Sequence, residues 1–231
     1  MNEHETSPAT VIEDRSLDRA AIEALAGAQP VLLRRCDLDE TDLSGLVMRN
    51  WVFDTCSLKR TRLLGAKLDE TRWTGCRGAF ADVSGANLTE ATIDASDFNN
   101  ASFRGATLTG AAFRRSKLTG ANLRETKSLN ATFEETLLGS AQMPGFSFRK
   151  ARLRKLDFEL ADLSKCDFRD AVFEDCILRD ASLVDCRFEG ADLRGADLGG
   201  IRLLNARQFK GATISRAQAG QLLEELGLKV R

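Results

Sequence analysis

Tyrosine is absent from this 231-residue chain, histidine occurs once (His4), tryptophan twice and proline three times. A single histidine outside any pattern excludes a histidine-based catalytic triad and a histidine-rich metal site. No apolar run is long enough to span a bilayer, so no transmembrane helix is expected. The N-terminal stretch MNEHETSPATVIEDRS is acidic and lacks an apolar centre. No secretion signal is therefore expected, and a cytoplasmic location with reduced cysteines follows. Charge of one sign is also missing: 33 Lys and Arg face 34 Asp and Glu. Such a balance gives no overall grip on nucleic acid or on an anionic membrane, so neither is expected as a partner. The phosphate-loop, dinucleotide-fold, zinc-protease and serine-hydrolase signatures are absent. The expectation is a protein without catalytic residues, cofactor or metal.

What the chain does have is a repeat of five residues. Every position whose number leaves remainder 3 on division by five, from Leu33 to Leu203, carries a large apolar side chain except Gly78 and Ser128, 35 positions in all. Two residues earlier sits a small one, as in Ala66, Ala86, Ala106, Ala121, Ala161 and Ala191. All six cysteines (Cys36, Cys56, Cys76, Cys166, Cys176 and Cys186) fall in that small class, ten residues apart at the nearest. They read as core fillers, since zinc sites need closely spaced ligand pairs. Residues two apart share one face of an extended strand. A glycine or polar residue then turns the chain, as at Gly45, Gly65, Gly85, Gly105, Gly120, Gly190 and Gly195. A corner every five residues makes an all-β solenoid.

The charges set the size of the coil. Stacked coils bring equivalent outward positions to strand spacing, where opposite charges attract and like charges repel. Between residues 32 and 205, pairs twenty apart are opposite in sign 21 times and alike 3 times. At a separation of fifteen the balance is 6 against 12, and at twenty-five it is 9 against 9. Arg114, Glu134, Arg154, Glu174 and Arg194 alternate down one column. Twenty residues per turn means four units and a square section, with about nine coils in a length of about 40 Å. The acidic cluster Asp37, Asp39, Glu40 and Asp42 and the basic patch Arg149, Lys150, Arg152, Arg154 and Lys155 read as members of these ladders.

Units such as ANLTE, ASFRG, AKLDE and ADLRG resemble the pentapeptide-repeat family, A(D/N)Lxx, over residues 31 to about 210. The resemblance implies a right-handed quadrilateral β-helix. The expected organisation is a disordered tail at 1–13, a capping helix within 14–30, the solenoid at 31–210 and a terminal helix within 211–231. Ser16 is the expected cap of the first helix, running to Ala26, with Leu17, Ala21 and Leu25 on its apolar face. An apolar residue is due at Gln208, where the pattern fades. Ser215 is the expected cap of the last helix, and Gly227 its stop. Ala219, Leu222, Leu223 and Leu226, followed by Leu228 and Val230, form a stripe similar to the C-terminal helix of the Qnr quinolone-resistance proteins and of mycobacterial MfpA. That resemblance implies a homodimeric rod joined through this helix. It also implies a type II topoisomerase (DNA gyrase, or topoisomerase IV) as partner, with protection of that enzyme against quinolones or related toxins. The solenoid carries 28 basic and 26 acidic residues between 31 and 210 and no inserted loop, at odds with mimicry of a DNA duplex. The alternative is a structural or adaptor solenoid presenting a wall to another protein, with Leu137, Leu160 and Ile177 as an apolar patch. Three pattern breaks are candidate partner contacts: Phe80 beside Gly78, Leu129 beside Ser128, and Pro144 with Phe146.

Overall fold

The computed structural model describes residues 10–25, 31–200, 206–225 and 227–230, with residues 206 and 225 described by backbone alone. It is a four-sided parallel solenoid of about nine coils. The first wall carries strands β1 (Thr10–Glu13), β2 (Val31–Arg34), β3 (Val52–Asp54), β4 (Arg72–Thr74), β5 (Thr92–Asp94), β6 (Ala112–Arg114), β7 (Thr132–Glu134), β8 (Arg152–Arg154) and β9 (Val172–Glu174). The second wall, starting at residues 36, 56 and so on, includes the short β10 (Cys176–Ile177) and β11 (Ala196–Asp197). Isolated parallel bridges such as Asp42 with Arg62 and Val47 with Lys67 hold the third and fourth walls. Helices α1 (Arg19–Leu25) and α2 (Arg216–Glu225) lie at the two ends.

Backbone hydrogen bonds account for the five-residue unit. In one unit Arg62 donates down to the Thr41 carbonyl at 2.9 Å, while Leu63 donates up to Asp82 at 2.6 Å and Gly65 up to Ser84 at 2.9 Å. Ala66 then donates to Leu63 at 3.1 Å and closes the corner. The corner residue itself has positive φ, as at Asn50 (60°) and Gly65 (62°). Glycine takes this conformation freely and Asn and Asp tolerate it. Only the fourth amide of the unit lacks a partner in the ladder. The side chain at position 2 accepts it: Asp82 Oδ1 from Ser84 N–H at 3.1 Å, Asp157 Oδ1 from Glu159 N–H at 2.9 Å, and Asn122 Oδ1 from Arg124 N–H at 3.1 Å. The D/N of the repeat is therefore a turn cap. Position 4 is also where a proline costs the ladder nothing, and Pro144 sits there.

Position 1 and position 3 side chains fill the interior. Leu33, Leu43, Phe53, Phe103, Phe113 and Phe158 are fully enclosed. Aromatic rings stack in register up the coils, with Phe148 to Phe168 at 5.1 Å, Phe168 to Phe188 at 4.9 Å and Phe188 to Phe209 at 4.9 Å between centroids. Outward charges pair one coil apart at some of the positions that the twenty-residue count predicts, including Arg34 with Asp54 at 2.9 Å, Arg49 with Asp69 at 3.0 Å and Arg154 with Glu134 at 3.2 Å. Others pair slightly off register, as Arg104 does with Glu125 at 2.8 Å. Arg194 departs from its column and forks onto Asp192 of its own unit at 2.6 Å.

Both ends correct the expectation. Residues 10–13, expected in a disordered tail, form β1, and Ile12 pairs with Leu33, a step of 21 rather than 20. The solenoid thus begins before residue 31; residues 1–9 lie outside the described residues. The first helix is shorter than expected. Ser16 is bridged to Asp37 in the ladder, so Asp18 becomes the cap, accepting Ala21 N–H at 2.9 Å. Ile22, not the expected stripe alone, is the fully buried residue of α1, and Arg19 donates to the Asp42 and Ser44 carbonyls on the open third wall. Ala26, Gly27 and Pro30 lie outside the described residues. At the other end the pattern does not fade at Gln208 but slips by one: Phe209 takes the place due there and stacks on Phe188.

Replacing Phe168 by Ala removes a fully buried ring stacked on both sides. The expected loss is about 3–5 kcal/mol in urea unfolding. Asp167 accepts Arg169 N–H at 3.1 Å and pairs with its guanidinium at 2.5 Å. Asp167→Asn keeps the turn cap and loses only the charge, so it should cost less than Asp167→Ala, for which about 1 kcal/mol is expected. Carboxylates in these caps sit below their ordinary range: Asp167 through Arg169, Asp192 through Arg194, Asp197 through the Gly199 amide and Asp42 through the Ser44 hydroxyl. A folded pKa depressed in this way stabilises above the unfolded value of about 3.9 and is lost as pH falls through the folded value. Melting temperatures should therefore hold from neutral pH to about 5 and drop below about 4.

Candidate interaction surfaces

Among the described residues no group of three or more His, Cys, Asp or Glu is placed to hold a metal ion. All six cysteines are buried free thiols. Burial pushes the Cys186 thiol up to about 12 and raises Cys166 and Cys176, which keeps them protonated and unreactive. The acidic cluster is answered one coil on, with Glu40 to Arg60 and Asp42 to Arg62 both at 3.4 Å. No described helix is long and apolar enough to cross a membrane. The surfaces that remain are the C-terminal end and the places where the repeat breaks.

At the C-terminal end, Ser215 and Gln218 cap α2 reciprocally. Gln218 N–H donates to Ser215 Oγ at 3.1 Å, and Ser215 N–H donates to Gln218 Oε1 at 2.7 Å. The Gln218 amide nitrogen then reaches into the last coil and donates to the Leu193 and Ala196 carbonyls, both at 2.7 Å. One side chain thus starts the helix and closes the open end of the ladder. Gly227, at φ 83°, ends it: Leu228 N–H reaches the Leu223 carbonyl at 3.0 Å and Gly227 N–H that of Glu224 at 2.8 Å. Of the stripe residues, Leu222 faces its own solenoid (8% exposed) and Ala219 is half-buried. Leu223 is 40% exposed, and Leu228, Val230 and Ile214 are exposed with it. Leu226 lies outside the described residues.

The three pattern breaks resolve differently. At Gly78 a side chain is missing because the Phe98 ring fills its place: a Cβ there would lie 2.2 Å from that ring. Phe80 stands exposed at the adjacent corner with φ 60°. Phe146, expected as a partner contact, is 3% exposed and is no surface residue. It points inward at a position sized for alanine and packs on Phe133 and Phe148 at 6.0 and 6.1 Å. Pro144 is half-buried in its turn.

The second and third breaks are one feature, because Ser128 and Phe148 are equivalent positions of successive coils. Here the ladder opens. Strands β7 and β8 do not pair, Lys127 and Ser147 form no bridge, and no backbone hydrogen bond joins 125–131 to 144–151. Leu123 still donates to Gln142 at 2.7 Å, and Glu135 to Arg154 at 3.0 Å, which marks the limits of the seam. Between residues 31 and 200, the other described junctions keep their ladder on all four walls. The cause lies in the side chains. A phenyl ring at position 146 overfills the interior while Ser128 underfills it, and rings rather than hydrogen bonds span the gap. Thr126, Ser128, Ala131 and Ala151 are half-buried, although their equivalents in the neighbouring coils are almost all buried. Leu129 stands 70% exposed on this fourth wall. The basic patch divides at the same line. Arg152 pairs with Glu174, and Arg154 and Lys155 with Glu135 at 2.9 and 3.3 Å. Among the described residues Lys127, Arg149 and Lys150 form no ion pair. Sequence reasoning noted both breaks without seeing that one coil brings them together.

The second wall carries the expected apolar patch: Leu137 and Leu160 are exposed, and Ile177 half-buried above them.

Comparison with known proteins places this geometry. Residues 56–94, 96–127, 131–170, 166–205 and 181–218 match pentapeptide repeats, in eight copies. No curated protein matches the chain. Among solved structures, full-length QnrB1, a plasmid-mediated fluoroquinolone resistance protein, is similar with a TM-score of 0.63 and 20% identity, covering 95% of this chain and 98% of its own. A trypsin-treated variant of QnrB1 gives 0.62 and 22%, covering 87% and 98%. HetL, a pentapeptide-repeat protein involved in heterocyst differentiation regulation in the cyanobacterium Nostoc sp. strain PCC 7120, gives 0.60 and 23%, covering 88% and 85%. At these identities the solved structures establish the fold alone. With the five-residue unit, the four-walled coil and the matched repeats together, the chain belongs to the pentapeptide-repeat family.

Proposed function

We propose that the protein is a non-enzymatic binding rod, dimeric through its C-terminal end, whose partner is a type II DNA topoisomerase such as DNA gyrase. The observation that carries the reading is at α2. Gln218 and Leu222 already close the last coil, yet Leu223, Leu228 and Val230 remain exposed just beyond them. A two-fold contact would bury that stripe, and each leucine so covered contributes roughly 1.5–3 kcal/mol before the costs of association. The topoisomerase follows from the Qnr resemblance of this end and is supported by the likeness of fold to a fluoroquinolone resistance protein. A second reading, an adaptor solenoid, is favoured by the second-wall patch of Leu137 and Leu160 and by the likeness of fold to HetL, whose role is regulatory.

Leu223→Asp with Leu228→Asp should convert a dimer to a monomer in light scattering while leaving the β signal of the solenoid in circular dichroism unchanged. Leu222→Asp should instead destabilise the cap, since that side chain faces its own coil. A wild-type protein already monomeric at micromolar concentration removes the dimer. The partner is tested by gyrase supercoiling with a quinolone series. The expected result is a several-fold rise in the quinolone concentration that halves supercoiling, lost in the monomeric variant. No shift with folded dimer removes the topoisomerase and leaves the adaptor.

A further inference from the structure

We propose that the seam on the fourth wall is a docking site for an acidic, extended segment of a partner protein. The reading stands apart from the dimer and the topoisomerase, because it rests on other residues. Three observations meet at one place. The backbone from 125 to 131 and from 144 to 151 makes no hydrogen bond across the junction, so donors and acceptors of strand geometry are left there without a backbone partner. Leu129 is exposed beside them. Lys127, Arg149 and Lys150 flank the opening, and none of the three forms an ion pair among the described residues.

Each feature names a property of the occupant. Open ladder groups are satisfied by another extended backbone, which adds to a sheet edge. The cations take carboxylates from that segment, and they are free to do so because no acid faces them across the seam. Their column neighbours there are Ser147, Leu129 and Asn130. On the far side Arg149 meets Arg169, already neutralised by Asp167, and Lys150 lies in column with Asp170 without pairing to it. Leu129 takes an apolar side chain at alternate spacing. A nucleic acid fits less well: three cations are few, no exposed aromatic ring lies among them for base stacking, and open backbone rungs offer nothing base-specific.

The experiment has two arms. Hydrogen–deuterium exchange should show the amides of Ser128 and Asn130 exchanging at least tenfold faster than those of Leu108 and Gly110 one coil below. Fluorescence anisotropy then uses three labelled probes on the full chain: an eight-residue peptide alternating glutamate with valine, the same peptide with lysine for glutamate, and an eight-thymidine oligonucleotide. The glutamate peptide should bind, weaken with salt, and lose at least tenfold in affinity in the variant K127E/R149E/K150E. A second variant, Ser128→Leu with Phe146→Ala, restores the regular side-chain sizes. It should slow exchange at the seam and lose peptide binding with all three cations in place. Protection at the seam equal to that one coil below overturns the proposal. So does absence of glutamate-peptide binding, preference for the oligonucleotide, or undiminished binding by either variant.

Discussion

Everything in this molecule depends on the parallel hydrogen-bond ladder between coils. A typical unit sends one amide down and two up, and a fourth closes the corner on its own coil. Once the register is twenty, the rest follows from position. Large side chains must be inward at position 3, small ones at position 1, and left-handed backbone falls at position 5. The ladder also explains why a corner can hold residues as unsuited to positive φ as Phe80 and Leu160. The bonds on either side hold the backbone there, against a local cost of about 1–2 kcal/mol. Stacked aromatic rings and alternating charges reinforce the register, and neither would set it alone.

The solenoid was legible because its determinants are local and repeated. A period of five is read from Leu33 onward without alignment, and the number of units per coil came from the signs of charges twenty apart. The D/N of each unit looks decorative in sequence and is a hydrogen-bond cap in three dimensions. The ends were less legible for a definite reason. A single extra residue moves Ile12 onto Leu33 and Phe209 onto Phe188, and a strict five-residue count loses both residues at that step. Ser16 looked like a helix cap because serine serves that role, but the ladder claimed it first and left Asp18 to begin the helix.

The surfaces were legible only in part. Phe146 is large and breaks the pattern, so it reads as a contact; its ring goes inward because the interior opposite Ser128 has room for it. The pairing of those two departures is a long-range fact that emerges only when the coil is wound. Likewise the basic patch is continuous in sequence from Arg149 to Lys155 but is split by the wall on which each residue lies. The residues that turn the corner onto the first wall meet glutamates, and those on the fourth meet none. At the C-terminal end, the stripe from Ala219 to Leu223 divides between the protein's own coil and solvent according to helical phase.

The seam also has a mechanical meaning. A stack in which each coil touches only its neighbours behaves as a one-dimensional chain of links, and its cooperativity is limited by the weakest link. Between the coils that carry Ser128 and Phe148, the fourth wall and the adjoining strand of the first contribute rings but no ladder, while the second and third walls remain joined. The rod is therefore hinged along one side near its middle. Bending that opens the fourth wall breaks no backbone bond there, whereas bending in the opposite sense strains two intact walls. A straight-looking stack thus has a built-in direction of compliance, placed there by a serine and a phenylalanine eighteen residues apart.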